Sequence, residues 1–86
     1  MRIHVLDRIH EHHRELVEDD VVTAFRTVII DAQRDDGTWM AIGLDGHGRN
    51  VEMLYHTNGV DVVIYHAFTP PTKKFLKEIA KLRSKR

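Results

Sequence analysis

Seven histidines in an 86-residue chain with no cysteine are the side chains best placed to do chemistry. Three fall in "DRIHEHHREL", Asp7 to Leu16. On a helix His10 and His13 lie three apart and can share a face, as a pair of metal ligands would. A third ligand would have to come from elsewhere, from His4 or His66. No local spacing matches a familiar zinc motif, and thiolates are absent. No metal and no cofactor are therefore expected, and His10 and His13 read as helix-surface or core-margin residues.

Acid–base work is the other chemistry that histidine suits, because its unperturbed pKa is ~6.5. A ribonuclease that works without metal must deprotonate a 2′-hydroxyl, stabilise a crowded phosphate and protonate a leaving oxygen. His4, His13, His66 and Glu52 are the candidate proton carriers. Arg8 and Arg49 are the candidate phosphate binders, since a guanidinium can hold two oxygens at once. "DGHGR" at Asp45 to Arg49 has the glycines of a phosphate loop. It joins two strands and opens no helix, so it reads as a glycine-rich hairpin.

These residues need elements to hold them. Leu6, Ile9, His13, Leu16 and Val17 recur at helical spacing, which predicts a first helix with His13 turned inward. Its other side would carry Arg8, His12 and Glu15. "EDDVVTAFR" predicts a short second helix, with acidic residues in its first turn and Arg26 near its end. Four strand-like runs follow: "TVIIDAQ", "TWMAIGL", "RNVEMLYHT" and "VDVVIYHAF". Turn signals separate them at Asp35–Gly37, Asp45–Gly48 and Asn58–Gly59. "TPPT" stops the sheet, Thr72 is a plausible N-cap, and Phe75, Leu76, Ile79, Ala80 and Leu82 give a closing helix at 72–83 with a tail at 84–86. The expectation is one α+β domain over 1–86: two N-terminal helices, a four-stranded antiparallel meander, and a C-terminal helix, with the helices on one face of the sheet.

A two-residue Asn58–Gly59 turn fixes a register. Tyr55 then faces Val62, Met53 faces Ile64 and Val51 faces His66, on a nearly apolar core face. Glu52, Leu54 and His56 share the other, open face with Tyr65 and Asp61. His66 and Glu52 thus fall on opposite sides of the sheet. They could serve one site only if the sheet curls strongly or the register slips at a bulge.

Charge is balanced overall but not along the chain. From Lys73 onward seven basic residues stand against Glu78 alone, while the first 72 residues hold six basic and twelve acidic ones. A basic end, starting at Lys73 and Lys74, can meet nucleic-acid phosphates, an acidic partner, or the acidic body of a second copy in a homodimer. No apolar run approaches the ~18 residues of a membrane span and no signal peptide opens the chain, so a cytoplasmic protein is expected.

Several features read together resemble a known group. "HVLDRI" with His4 and Arg8, "VEDDVVTAF", "IGLDGHGRNVEMLY" and "VVIYHAFTPPTKKFL" look like the small bacterial domains related to BrnT toxins, and their sister family with a His-x-x-x-Arg start and a Gly-Arg-x-x-Glu strand. The resemblance covers roughly Ile3 to Leu76. It implies a fold similar to RelE and barnase-like ribonucleases. It also implies a type II toxin that cleaves RNA without metal and is neutralised by a protein antitoxin. The matching positions are His4, Arg8, Arg49, Glu52 and His66. Tyr65, on the open sheet face, and Lys73 and Lys74, in the basic end, are the expected substrate contacts. The alternative is a non-catalytic binding module that uses an open sheet face or an edge strand, or a nucleic-acid binder that uses only the basic helix.

Overall fold

The computed structural model describes residues 1–85. Five strands, β1 (Arg2–Val5), β2 (Val28–Gln33), β3 (Trp39–Leu44), β4 (Asn50–Thr57) and β5 (Asp61–Phe68), combine with three helices, α1 (Asp7–His12), α2 (Glu18–Arg26) and α3 (Lys73–Ser84). The domain is α+β. Arg86, part of the expected tail, lies outside the described residues.

The sheet order is β1-β5-β4-β3-β2. β2 to β5 form the expected antiparallel meander. The sheet is mixed, however, because β1 adds a fifth strand parallel to β5, pairing Arg2 with Asp61 through Val5 with Ile64. "RIHV" alternates as a half-buried strand does, but the run is only four residues long and no turn signal marks it. Ile3 and Val5 supply the apolar side, packing on the core, while Arg2 and His4 stay exposed.

The helices do not all lie on one face. Ile9, Leu16, Val21 and Ala24 from the α1–α2 region pack on Ala41, Val51, Met53, Tyr55, Val62, Ile64 and Ala67. Phe75 and Ile79 of α3 pack with Ala32, Met40 and Ile42, joined by Ile30, Leu54 and Leu82. Neighbouring residues such as Met40 and Ala41 belong to different clusters, so the two clusters cover opposite faces. "WMAIG" in β3 is buried on both faces, which is why it reads as a continuous apolar run. The face expected to be open and polar is therefore partly roofed by α3.

Two local devices fix α3 there. Thr72 accepts from the Phe75 amide at 3.2 Å and caps the helix, as its sequence position suggests. Arg34 at the end of β2 grips Glu78 with two hydrogen bonds of 2.7 and 3.0 Å. On the opposite face α2 lies directly on Gly43, where a Cβ would stand 1.9 Å from the Ala24 carbonyl oxygen.

The first helix is shorter than its periodicity suggests. It ends at His12, and His13 leaves helical geometry at φ −134°, ψ 79°. Leu16 reaches the core from the following turn rather than from the helix.

The last hairpin also departs from the expected register. Thr57 pairs with Val62, not Val60. Asn58 has no positive φ, so the turn is not type I′; only Gly59 does, at 92°. The Asn58 side chain accepts from the amides of Val60 and Asp61 at 2.9 and 2.8 Å, holding a wider loop. This two-residue offset leaves the faces unchanged. The second departure does not. Tyr55 pairs with Ile64, but Leu54 pairs with His66, so Tyr65 is the extra residue of a β-bulge.

Candidate functional site

The bulge decides which way His66 points. A regular strand would put His66 beside Ile64 on the α1–α2 face. With Tyr65 inserted, Ala67 takes the core position and His66 turns to the other face. There its Nε2 lies 2.8 Å from Glu52 Oε2. The conflict between Glu52 and His66 is thus resolved by a one-residue register slip.

Glu52 is buried, 3% exposed. Its second oxygen, Oε1, accepts from the Thr72 amide at 2.7 Å. Burial would push this carboxyl up, but the hydrogen bonds from His66 and the Thr72 amide outweigh it and hold it below its ordinary value near 4.5. Glu52 is therefore a carboxylate and can only accept. His66 Nε2 must carry the hydrogen of that bond. In the neutral ring the lone pair then sits on Nδ1, the nitrogen a general base needs.

His66 lines a cavity of about 390 Å³ together with Arg8, Ile9, His12, His13, Leu54, Tyr65 and Ala67. The cavity lies where β1 stops. The backbone ladder ends as Leu6 N donates to the Ile64 carbonyl at 3.1 Å. One residue on, Arg8 takes over: its Nε and Nη2 donate to the Tyr65 carbonyl at 3.3 and 3.2 Å. No carboxylate among the described residues pairs with Arg8. Its charge is thus spent on a neutral acceptor and faces solvent at the cavity. His13 packs edge-on to Phe68 with ring centroids 4.6 Å apart, and its imidazole approaches Glu15 at 3.9 Å.

The cavity unites Arg8, His13, Tyr65 and His66, with Glu52 behind. It adds His12, which shares the polar side of the first helix with Arg8. The signal was there, since Arg8 and His12 are i, i+4 and share a face. What the sequence hid is that this face borders the end of β5. Lys73 and Lys74 are exposed in the first turn of α3, directly after the Thr72 amide that binds Glu52. They flank the site without lining it.

Two residues stand apart. His4 is exposed on β1, 3.8 Å from Asp61, which also takes a bidentate contact from Arg2 at 2.8 and 3.2 Å. Arg49 sits in a separate polar knot. Its Nε donates to Asp45 at 2.7 Å, and its Nη2 donates to Asp20 at 3.2 Å and to the Glu15 carbonyl at 3.1 Å. Asp45 also accepts from the amides of His47 and Arg49, both at 2.9 Å, closing the loop that Gly48 turns with φ 77°. Asp20 caps α2 by accepting from the Val17 amide at 3.1 Å. Both aspartates are buried. Burial pushes Asp45 up, but the amides and the guanidinium more than reverse it, so its carboxyl titrates below its ordinary range. With two carboxylates on its guanidinium, Arg49 ties the β3–β4 loop to the start of α2 and is not free for phosphate.

Among the described residues no group of three or more histidines and carboxylates could hold a metal ion, and no helix is long and apolar enough to cross a membrane. No protein-family model, no curated protein and no solved structure matches the chain.

Proposed function

We propose that the chain is a metal-independent ribonuclease acting as the toxin of a bacterial type II toxin–antitoxin pair. The observation that carries the reading is the Glu52–His66 pair opening into the same cavity as Arg8, His12 and His13. His66 Nδ1 takes the proton from a ribose 2′-hydroxyl, and Glu52 steadies the cation that forms on the ring. The 2′-oxygen attacks the adjacent phosphorus, the bond to the 5′-oxygen breaks, and a 2′,3′-cyclic phosphate results. Arg8 stabilises the charge that builds on the phosphate oxygens. His12 or His13, on the α1 wall, returns a proton to the departing 5′-oxygen. RNA is the substrate in this reading, and a protein antitoxin covers the cavity.

The test is induced expression in bacteria together with incubation of purified protein and RNA in a chelator. Growth arrest and cleavage, both lost in His66→Ala while the variant still folds, support the reading. A folded wild-type protein that neither arrests growth nor cuts RNA overturns it.

A further inference from the structure

The bulge has a second consequence. In a regular strand Tyr65 and His66 would point to opposite faces. Here both line the one cavity, because a bulge places its extra residue beside its neighbour. α3 packs over Ala32, Met40, Ile42 and Leu54, so it roofs the β2–β4 side of that face. On the β5 side Tyr65 lies 5.8 Å from the His56 ring, tilted by 32°, and His56 is exposed. Tyr65 is half-buried, belongs to neither core cluster, and its hydroxyl bonds to no described residue. The ring is thus only partly covered, and it forms part of the cavity wall. Its backbone carbonyl, in contrast, is held by Arg8. The same residue thus sets a cation for phosphate next to an aromatic face.

We propose, resting on the ribonuclease reading of this cavity, that Tyr65 is a stacking platform for one unpaired nucleobase beside the scissile phosphate. The substrate class is then single-stranded RNA or a loop. Bases inside a duplex are already stacked on both sides and offer no free π-face, whereas an unpaired base can lie on an aromatic ring. The ring accepts any base, so the platform selects strandedness and not sequence.

The test measures binding apart from cleavage. The probe is a short single-stranded 2′-O-methyl oligonucleotide, which has no free 2′-hydroxyl to attack, and the same strand fully paired with its complement as a blunt duplex. Tyr65→Phe keeps single-strand affinity within about two-fold, and Tyr65→Leu loses roughly five- to hundred-fold. Duplex affinity is the same for all three proteins. An abasic nucleotide scanned along the strand reproduces the loss at one position in wild type and adds nothing in Tyr65→Leu. Equal loss for strand and duplex, or an abasic scan of wild type with no sensitive position, overturns the platform. Because that scan needs no variant, a misfolded Tyr65→Leu does not block the test. Cleavage of ordinary RNA without any dependence on Tyr65 overturns the platform and leaves the ribonuclease. Tyr65-dependent binding without cleavage does the reverse. No binding by wild type overturns both.

Discussion

Glu52→Gln separates the two roles that converge on one carboxylate. Glu52 holds the start of α3 through the Thr72 amide and holds His66 through Nε2. Glutamine keeps the shape and can still accept from Thr72. Its amide nitrogen can only donate, so it faces His66 Nε2 as donor to donor unless the imidazole changes tautomer. That change moves the hydrogen to Nδ1 and removes the base. A wrong tautomer in such a pair lowers kcat by up to about 10⁴-fold. Stability should fall by about 1.5–3 kcal/mol, the range for hydrogen bonds to a charged group. For a domain of this size that is a loss of roughly 6–24 °C in Tm. The pH dependence follows from the depressed carboxyl. A carboxyl that ionises more readily when folded stabilises the fold in its charged form. Its contribution is complete above its ordinary value near 4.5 and is lost as pH falls through the lower folded value. Thermal unfolding of wild type and variant from neutral to acid pH should show a gap that closes at the acid end. A gap that persists unchanged in acid, or a variant that cleaves RNA at the wild-type rate, would refute the reasoning.

Arg49→Met should destabilise by about 3–5 kcal/mol, because two buried aspartates lose their cation, while any folded fraction retains RNA cleavage per folded molecule; denaturant titration alongside active-fraction assays checks both. Arg8→Ala should leave Tm within a few degrees, since the exposed guanidinium makes only two bonds to a neutral carbonyl, but lower kcat/KM by about 10²-fold or more through lost phosphate stabilisation. Gly43→Ala should cost about 1–3 kcal/mol or more, as its Cβ would press on the Ala24 carbonyl and α2 must retreat; circular-dichroism melting reads it directly.

Local chemistry made much of this protein legible from its sequence. Strand-like runs, alternating or, in β3, continuously apolar, and turn residues mark β2 to β5, because a pleated strand and a tight turn each impose their pattern within a few residues. Thr72 announces α3 in the same way, since a cap acts within one helical turn. The candidate residues Arg8, Glu52, Tyr65 and His66 were also readable as chemistry. Their assembly was not. β1 was hidden because its partner lies near residue 61, far along the chain, and four residues alone do not specify a strand. The face of α3 depends on where a proline-containing link can carry the chain, and the buried Glu52 that receives it looks in sequence like any polar strand residue. Arg49 reads as a free cation until Asp20, on a different element, closes on it. The sequence by itself determined the three helices, β2 to β5, their order and the supply of proton carriers. Only the tertiary structure decided, through one extra residue at Tyr65, that His66 faces Glu52 rather than the core. A side chain's face flips with each residue of register, and register is set by the whole sheet.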